Sequence, residues 1–311
     1  MADGELLPTI AFCRDPLDRK VVDAAFRDEW EAARAVGFET ILIDHNAAMA
    51  GDGAGAVKGL REAKGYERIV FRGWMLSHAS YEVLHLALHG LGYRMETRPS
   101  RYALCHHLPR ALEKLGSDTP RTHVVPWTRG DGEPPIDALL DLAGEGPHLI
   151  KDYVKSEKHL WHEACSIPDV ADRESARRVI LRFIQERGDS FEGGLVLREF
   201  ETLKTLGPAG EGGLPAVAEW RTWWCWGEEI IRTPNHEAAT GVELPTPPDE
   251  WLHEVTQRLR SLFFTLDVAL RDDGVWRVIE PGDAQVAGLP PMLSAEHFYS
   301  ELKPRLRLAR L

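Results

Sequence analysis

The segment FFTLDVALRDDGVWRVIEPGD near the C-terminus constrains the fold more than any other part of the chain. It predicts two long strands joined by a turn through Asp272, Asp273 and Gly274. On that hairpin Asp267 and Glu280 are about equally far from the turn, so the two carboxylates can face one another. Carboxylates on a buried sheet face repel unless a cation lies between them, and Mg²⁺ takes carboxylate oxygens together with substrate phosphates. The alternative is that Asp267 ends a strand and Glu280 is solvated at a sheet edge.

A pair of lysines lies in the segment HLIKDYVKS, whose pattern predicts a strand over residues 148–154. Lys151 and Lys155 are four residues apart, and an even spacing places both on one face of a strand. Lysines on a concave sheet face are suited to polyphosphate because each carries a compact positive charge. The alternative is a solvated lysine pair at a strand end.

One arginine stands between tryptophans in the segment AVAEWRTWW. Strand alternation puts Glu219, Arg221 and Trp223 on the same face. An arginine in this position is held rigidly, and its planar fork is suited to an acyl phosphate or a migrating phosphoryl group. The alternatives are a structural pair with Glu219 or a cation–π stack on a tryptophan.

The segment LVLREFETL predicts an apolar strand that runs into a connector over residues 199–203. Adenine rings are commonly held by backbone groups within an apolar slot. The candidates for adenine binding are therefore Glu199, Phe200, Glu201 and Leu203.

Strand and helix patterns alternate over the first hundred residues, which indicates a parallel sheet covered by helices. Strands are predicted at 9–13, at 40–43 and in the segments ERIVF and YRMET, with one helix capped by Asp18 and another over 78–90. After about residue 98 the pattern changes to a helix up to about Leu115, followed by the strand at 148–154 and a helix over 172–187. From the segment GGLVLREF onward strand patterns follow one another, interrupted by a helix at 250–262, which favours antiparallel pairing. The predicted fold class is α/β, changing to α+β in the C-terminal part.

Composition and charge exclude several function classes. The chain has 311 residues, of which 43% are hydrophobic, and its net charge of −12 argues against a basic surface for nucleic acid. No apolar run approaches the ~20 residues that span a bilayer, so no membrane association is expected. The four cysteines are scattered without a CxxC motif, which is typical of reduced thiols. These features together predict a cytoplasmic protein.

Taken in order, these segments resemble the ATP-grasp superfamily from about Thr9 to Leu289. Within it the chain is similar to the clade named for one arginine and two lysines, whose members are regarded as peptide ligases. The likeness includes FRGWM with Arg72, KDYVKS, EWR and EPGDAQVAGLP. It implies an N-terminal parallel α/β domain over 1–98, followed by an ATP-grasp domain over 99–311. That second domain would consist of two α+β subdomains, about 99–195 and 196–311, which clamp ATP.

The resemblance also implies roles for the candidate residues. Lys151 would contact the nucleotide phosphates, Lys155 would support them or the acyl phosphate, and Arg221 would stabilise the transferred phosphoryl group. Asp267 and Glu280 would bind Mg²⁺. The superfamily commonly has Glu-x-Asn at the last metal position, whereas Glu280 is followed here by Pro-Gly-Asp. Either Asp283 supplies the missing oxygen ligand or one metal position is incomplete.

The implied activity is an ATP-dependent, Mg²⁺-requiring ligation that activates a carboxylate as an acyl phosphate and joins it to an amine. A kinase acting on a hydroxyl group and a nucleotide-binding module without turnover are the alternatives. The expected partners are small-molecule or peptide substrates, and the oligomeric state is open. Arg72 is expected to bind an acidic substrate group, because it follows a strand of the first sheet at the edge where open α/β sheets bind ligands. His85 and His89 are interpreted as one face of a helix rather than a metal site.

Overall fold

The structure, a computed structural model, describes residues 7–65, 67–209, 215–235 and 244–307. The strands, numbered in chain order, are β1 Thr9–Cys13, β2 Thr40–Ile43, β3 Glu67–Arg72, β4 Tyr93–Met95, β5 Thr122–Pro126, β6 His148–Lys151, β7 Ser166–Ile167, β8 Gly194–Glu199, β9 Thr205–Ala209, β10 Pro215–Val217, β11 Glu219–Cys225, β12 Glu228–Pro234, β13 Phe263–Leu270 and β14 Trp276–Asp283. The helices are α1 Arg27–Ala35, α2 His45–Met49, α3 Gly53–Ala56, α4 His78–Gly90, α5 Pro99–His106, α6 Leu108–Leu115, α7 Ile136–Ala143, α8 Arg173–Arg187, α9 Asp249–Leu259 and α10 Ala295–Leu306.

The first hundred residues form a parallel sheet in the order β2-β1-β3-β4, as the alternation of strands and helices predicts. Strand β1 is buried along its whole length because every one of its residues faces helices or the core. Helix α4 begins where the side chain of Ser77 accepts a hydrogen bond from the Ser80 amide. The prediction that Asp18 caps the first helix is wrong. Val22 bridges to Arg14 and keeps the chain extended, so helical turns begin only after Asp23.

Two four-stranded antiparallel sheets follow, in the orders β5-β8-β6-β7 and β12-β11-β13-β14, and β9 pairs with β10 in a separate two-stranded sheet. We call the two four-stranded sheets the second and third sheets. Strand β8 pairs with β5 and β6, so the second sheet continues past residue 195, where the two subdomains were expected to meet. This mixture of parallel and antiparallel sheets confirms the predicted fold class.

The C-terminal helix α10 returns to the first sheet and packs against α1. Its Phe298, Tyr299 and Leu302 are fully buried in a core that also contains Trp223 and Phe263 of the third sheet. The hydrophobic core therefore continues across residue 98, where α5 starts with Pro99. Among the described residues, no helix combines the length and the apolar character that a bilayer crossing requires.

Candidate active site

The β13–β14 hairpin places two carboxylates side by side. Asp267 pairs directly with Glu280, which confirms that they face one another. The turn is closed by a hydrogen bond from the Arg271 amide to the Val275 carbonyl, and Gly274 takes a φ of 86° that favours glycine. Burial and the neighbouring carboxylates outweigh the hydrogen bonds from Arg221 and raise the pKa of Asp267 to about 6.

Arg221 lies opposite Asp267 on the adjacent strand β11. Its Nε and Nη2 donate to the two Asp267 oxygens at 2.8 and 2.7 Å, a bidentate pair. Burial opposes its charge, but Asp267 more than compensates and raises the pKa of Arg221 above its ordinary value. The guanidinium is therefore charged and oriented before any ligand binds.

The two predicted lysines occupy different local structures. Strand β6 ends at Lys151, so the prediction of a strand to residue 154 is wrong. Asp152 ends the strand because its Oδ1 accepts hydrogen bonds from the amides of Val154 and Lys155, both at 2.7 Å. Lys151 is buried and its Nζ lies 3.6 Å from Glu280 Oε1, so it links the second sheet to the third. Lys155 is exposed on the turn.

Positive charge surrounds Glu280. Burial opposes ionisation of this carboxyl, but Lys151, Lys158 and Lys155 hold the pKa of Glu280 below its ordinary value. Burial likewise lowers the pKa of Lys151, against the attraction of Glu280. A cavity of about 180 Å³ opens beside these groups and is lined by Lys155, Arg221, Asp267 and Glu280. We call it the central cavity.

Asp283 borders the central cavity but is not paired with the other two carboxylates. It pairs with Phe264, and it lies three residues beyond Glu280, so its side chain is on the opposite face of the strand. Its Oδ1 accepts hydrogen bonds at 3.0 Å from the amide and the side chain of Gln285. Asp283 therefore does not lie beside Asp267 as Glu280 does, and its metal role stays a prediction.

A second cavity, of about 270 Å³, lies along the predicted connector. We call it the connector cavity; it is lined by residues 199–203 together with Leu149, Trp161 and Ile279. The Glu201 carboxylate is bound to Arg277, whose Nε lies 2.8 Å from Oε2. At this position the backbone, rather than the carboxylate, is left to contact a ligand in the cavity.

Three residues that border these cavities were missed by the sequence analysis. Lys158 and Trp161 line the connector cavity from the segment after β6. Arg198 on β8 is buried and donates to the Ile279 carbonyl and, at 3.0 Å, to that of Val278. Burial lowers the pKa of Arg198 to about 10. An arginine directly after the apolar run LVL was the available signal, because an arginine in a buried strand needs acceptors from elsewhere.

Arg72 is placed inside the protein and not in an open pocket, which differs from the expected substrate contact. It is fully buried, and its Nε and Nη2 donate to the Glu29 carboxylate at 2.7–2.9 Å. Its Nη1 donates to the carbonyls of Ala284 and Ala287. Because each guanidinium nitrogen donates to a protein acceptor and the side chain is fully buried, Arg72 is not open to a substrate. Arg72 instead anchors the segment that follows β14.

A third cavity, of about 480 Å³, lies at the expected edge of the first sheet. Trp74, Phe26 and Glu29 line it, and we call it the Trp74 cavity. It shares the loop 286–288 with the central cavity. The segment anchored by Arg72 thus separates the carboxylate pair from a large open site.

Comparisons with known proteins identify the architecture. The model for family 3 of the ATP-grasp domains in the clade named for one arginine and two lysines matches residues 140–302. The crystal structure of D-cycloserine synthetase DcsG superposes with a TM-score of 0.57 at 16% identity, covering 96% of this chain and 100% of that one. The ATP-grasp ligase PsnB, complexed with precursor peptide PsnA2 and AMPPNP, has a TM-score of 0.55 at 12% identity, covering 99% and 100%. D-alanine–D-alanine ligase from Bacillus anthracis has a TM-score of 0.57 at 14% identity, covering 97% and 96%. No curated protein sequence matches the chain.

Proposed function

The chain belongs to family 3 of the ATP-grasp clade named for one arginine and two lysines, and from this premise we propose that it is an ATP-dependent carboxylate–amine ligase. The observation that carries the proposal is a row of charged side chains. Arg221 is paired with Asp267, Asp267 lies beside Glu280, and Glu280 is paired with Lys151. This row spans the second and third sheets between the connector cavity and the Trp74 cavity. It supplies the opposite charges that phosphoryl transfer from a metal-bound nucleotide requires.

The donor groups fit ATP and Mg²⁺. The connector cavity is mostly apolar and suits a planar base, with Trp161 and Ile279 among its walls. Lys151, Lys155 and Lys158 surround Glu280 and suit a polyphosphate that passes along the sheets. Asp267 and Glu280 would hold Mg²⁺, because two adjacent carboxylates supply the oxygen ligands that this ion prefers, and the phosphates of the nucleotide would supply others. Mg²⁺ would neutralise charge on the transferred phosphoryl group.

The proposed reaction has two steps. A substrate carboxylate oxygen forms a bond to the γ-phosphorus of ATP, and the bond from that phosphorus to ADP breaks, which gives an acyl phosphate. An amine then attacks the acyl carbon, phosphate leaves with the bonding electrons, and the amine proton passes to phosphate or solvent. Arg221 contributes an oriented charge at the oxygens of the transferred group, because Asp267 fixes its fork.

The Trp74 cavity is the proposed place for the carboxylate and amine substrates. It adjoins the central cavity through the loop 286–288, and Arg72 holds that loop through the Ala287 carbonyl. Arg72 is thus proposed as a positioning residue in place of a substrate ligand. The named ligases of similar fold act on small molecules or are complexed with a precursor peptide. The same two substrate classes are proposed for this chain.

A screen for ADP formation tests the proposed function. The purified chain with MgATP is expected to release ADP only when a carboxylate and an amine are both present, with one amide formed per ADP. Mass spectrometry identifies the amide. MgATP at 100 times its Kd should also stabilise the fold by ~2.7 kcal/mol. ADP formed with a hydroxyl compound alone would indicate a kinase, and stabilisation without turnover in any mixture would indicate a binding module. A melting temperature unchanged by millimolar MgATP would contradict the ATP site itself.

Lys151→Met is expected to weaken ATP binding about tenfold to hundredfold while the chain still folds. Methionine keeps the apolar stem in its buried place and removes the charge, and a charge-assisted hydrogen bond contributes ~1.5–3 kcal/mol. Isothermal titration with a non-hydrolysable ATP analogue gives the Kd. The matched control is Lys58→Met, an exposed lysine outside the three cavities, which should bind as the unaltered chain does. An unchanged Kd for Lys151→Met would assign Lys151 to a structural ion pair with Glu280.

A further inference from the structure

Two histidines and a glutamate meet on the face of the second sheet that is turned away from Lys151. Glu199 on β8 pairs directly with His148 on β6, and His123 on β5 is paired with Leu197, two residues before Glu199. Residues at this spacing share one face. One nitrogen of each imidazole and one oxygen of Glu199 lie within 4.8 Å of one another. Three strands far apart in the sequence thus bring their side chains to one point.

The two imidazoles present nitrogens without partners to this point. His123 Nε2 and His148 Nε2 are both buried, and neither has a hydrogen-bond partner among the residues that the structure describes. His148 is 1% exposed, and its Nδ1 lies 3.1 Å from the Gly146 carbonyl. A carbonyl can only accept, so Nδ1 carries the proton and Nε2 keeps its lone pair. A buried lone pair without a donor costs free energy, which a ligand at this point would offset.

We propose that His123, His148 and Glu199 bind a transition-metal dication, with Zn²⁺ as the preferred ion. Imidazole nitrogens and a carboxylate are ordinary zinc ligands, and the bond from His148 Nδ1 to a carbonyl is the support that zinc-binding histidines usually have. Mg²⁺ is disfavoured because it prefers oxygen ligands.

The geometry needs little adjustment to hold the ion. Ligand atoms around a tetrahedral zinc are about 3.4 Å apart, given bonds of ~2.0–2.1 Å. The Glu199 side chain is 39% exposed, and its contact with Arg121 is long, at 3.8 Å, so its carboxylate is able to rotate inward. Water would occupy the fourth position. The ion would join β5, β8 and β6 through Glu199, which also lines the connector cavity.

The chain has another histidine–carboxylate cluster, formed by His106, His107 and Glu192. There His107 Nε2 is already bonded to Glu192 Oε1 at 2.7 Å, and the Glu192 carboxylate also accepts from the His78 amide at 3.3 Å. That carboxylate therefore has partners without a metal. The cluster at His148 is different because the Nε2 atoms of both its imidazoles lack partners within the described part of the chain.

Zinc titration of the full chain tests the proposal. After chelator treatment and dialysis, ZnCl₂ is added in competition with a chromophoric zinc chelator, with millimolar Mg²⁺ present. One zinc per chain is expected, together with a rise in melting temperature. Glu199→Gln and His123→Gln should each weaken zinc binding by at least about a hundredfold, more than the ~10–100-fold that loss of a supporting partner costs.

Three control variants separate this site from the others. His297→Gln alters an exposed histidine on α10, His107→Gln alters the second cluster, and Glu280→Gln alters the proposed Mg²⁺ site; all three should keep the zinc. X-ray absorption should show nitrogen and oxygen ligands. The proposal would be overturned if the unaltered chain bound no zinc with a Kd below ~10 µM, or if Glu199→Gln and His123→Gln bound zinc as tightly as the unaltered chain. Loss of zinc binding in His107→Gln or Glu280→Gln instead would also overturn it. The test does not depend on ligase activity.

Discussion

Arg221→Lys is expected to lower kcat by about 10²–10³ while it changes the KM for ATP by less than about tenfold. Lysine keeps the positive charge but loses the planar fork that donates to both oxygens of Asp267. The charge that remains is neither fixed in direction nor able to contact two phosphoryl oxygens at once. An interaction made mainly in the transition state should appear in kcat, and steady-state kinetics with the identified substrates measures it.

The third sheet offers a matched control for this variant. Arg232 on β12 is also held in a bidentate pair, with Glu229 at 2.7 Å for both contacts. It is paired with Thr222, the neighbour of Arg221, so it lies on the opposite face of the sheet. Arg232→Lys should leave kcat unchanged. If Arg221→Lys raised the KM for ATP and spared kcat, Arg221 would be a ground-state phosphate ligand. Equal losses in both variants would indicate damage to the sheet.

Arg72→Met is expected to lower the free energy of unfolding by about 3–5 kcal/mol, the usual result of removing one partner of a buried ion pair. Glu29 is 8% exposed and would be left with a buried charge balanced by no cation at that position. The carbonyls of Ala284 and Ala287 would also lose a donor. Urea unfolding followed by circular dichroism measures the change.

Two further variants establish the cause of this loss. Arg72→Met combined with Glu29→Gln should recover a large part of the stability, because the second change removes the isolated charge. Arg61→Met removes an exposed arginine that is bonded to Glu67 by two contacts of 2.8 Å, and it should cost at most about 1 kcal/mol. A loss below about 1 kcal/mol for Arg72→Met would show that water reaches the Glu29 carboxylate once the arginine is removed. The Arg72 site would then be open to solvent, and to a substrate as well.

Local patterns in the sequence were sufficient for several features of the site. The Asp-Asp-Gly turn sets the register of the first pairs of the β13–β14 hairpin, and a one-residue shift between Val268 and Asp267 then brings Asp267 opposite Glu280. Helix α4 has the predicted bounds, and Asp172 caps α8 by accepting from the Ser175 amide. These features depend on residues near one another in the chain, so short-range chemistry decides them.

The role of Asp283 was left open by the sequence, which allowed either a third metal ligand or an incomplete metal position. Strand β14 continues past Pro281 to Asp283, because it is an edge strand and a proline can be accommodated there. Continued alternation then puts the Asp283 side chain on the other face.

The sequence by itself determined the strands, the carboxylate pair, the family resemblance and the basic residues that belong near a nucleotide. Only the tertiary structure decided which partner each charge has. Arg221 bonds to a residue 46 positions away, Arg72 to one 43 positions away, and His123 meets His148 across a sheet. The physical reason is that buried charges and imidazoles must find partners. Which partners they find depends on how separate strands and domains pack, and no spacing along the chain records that packing.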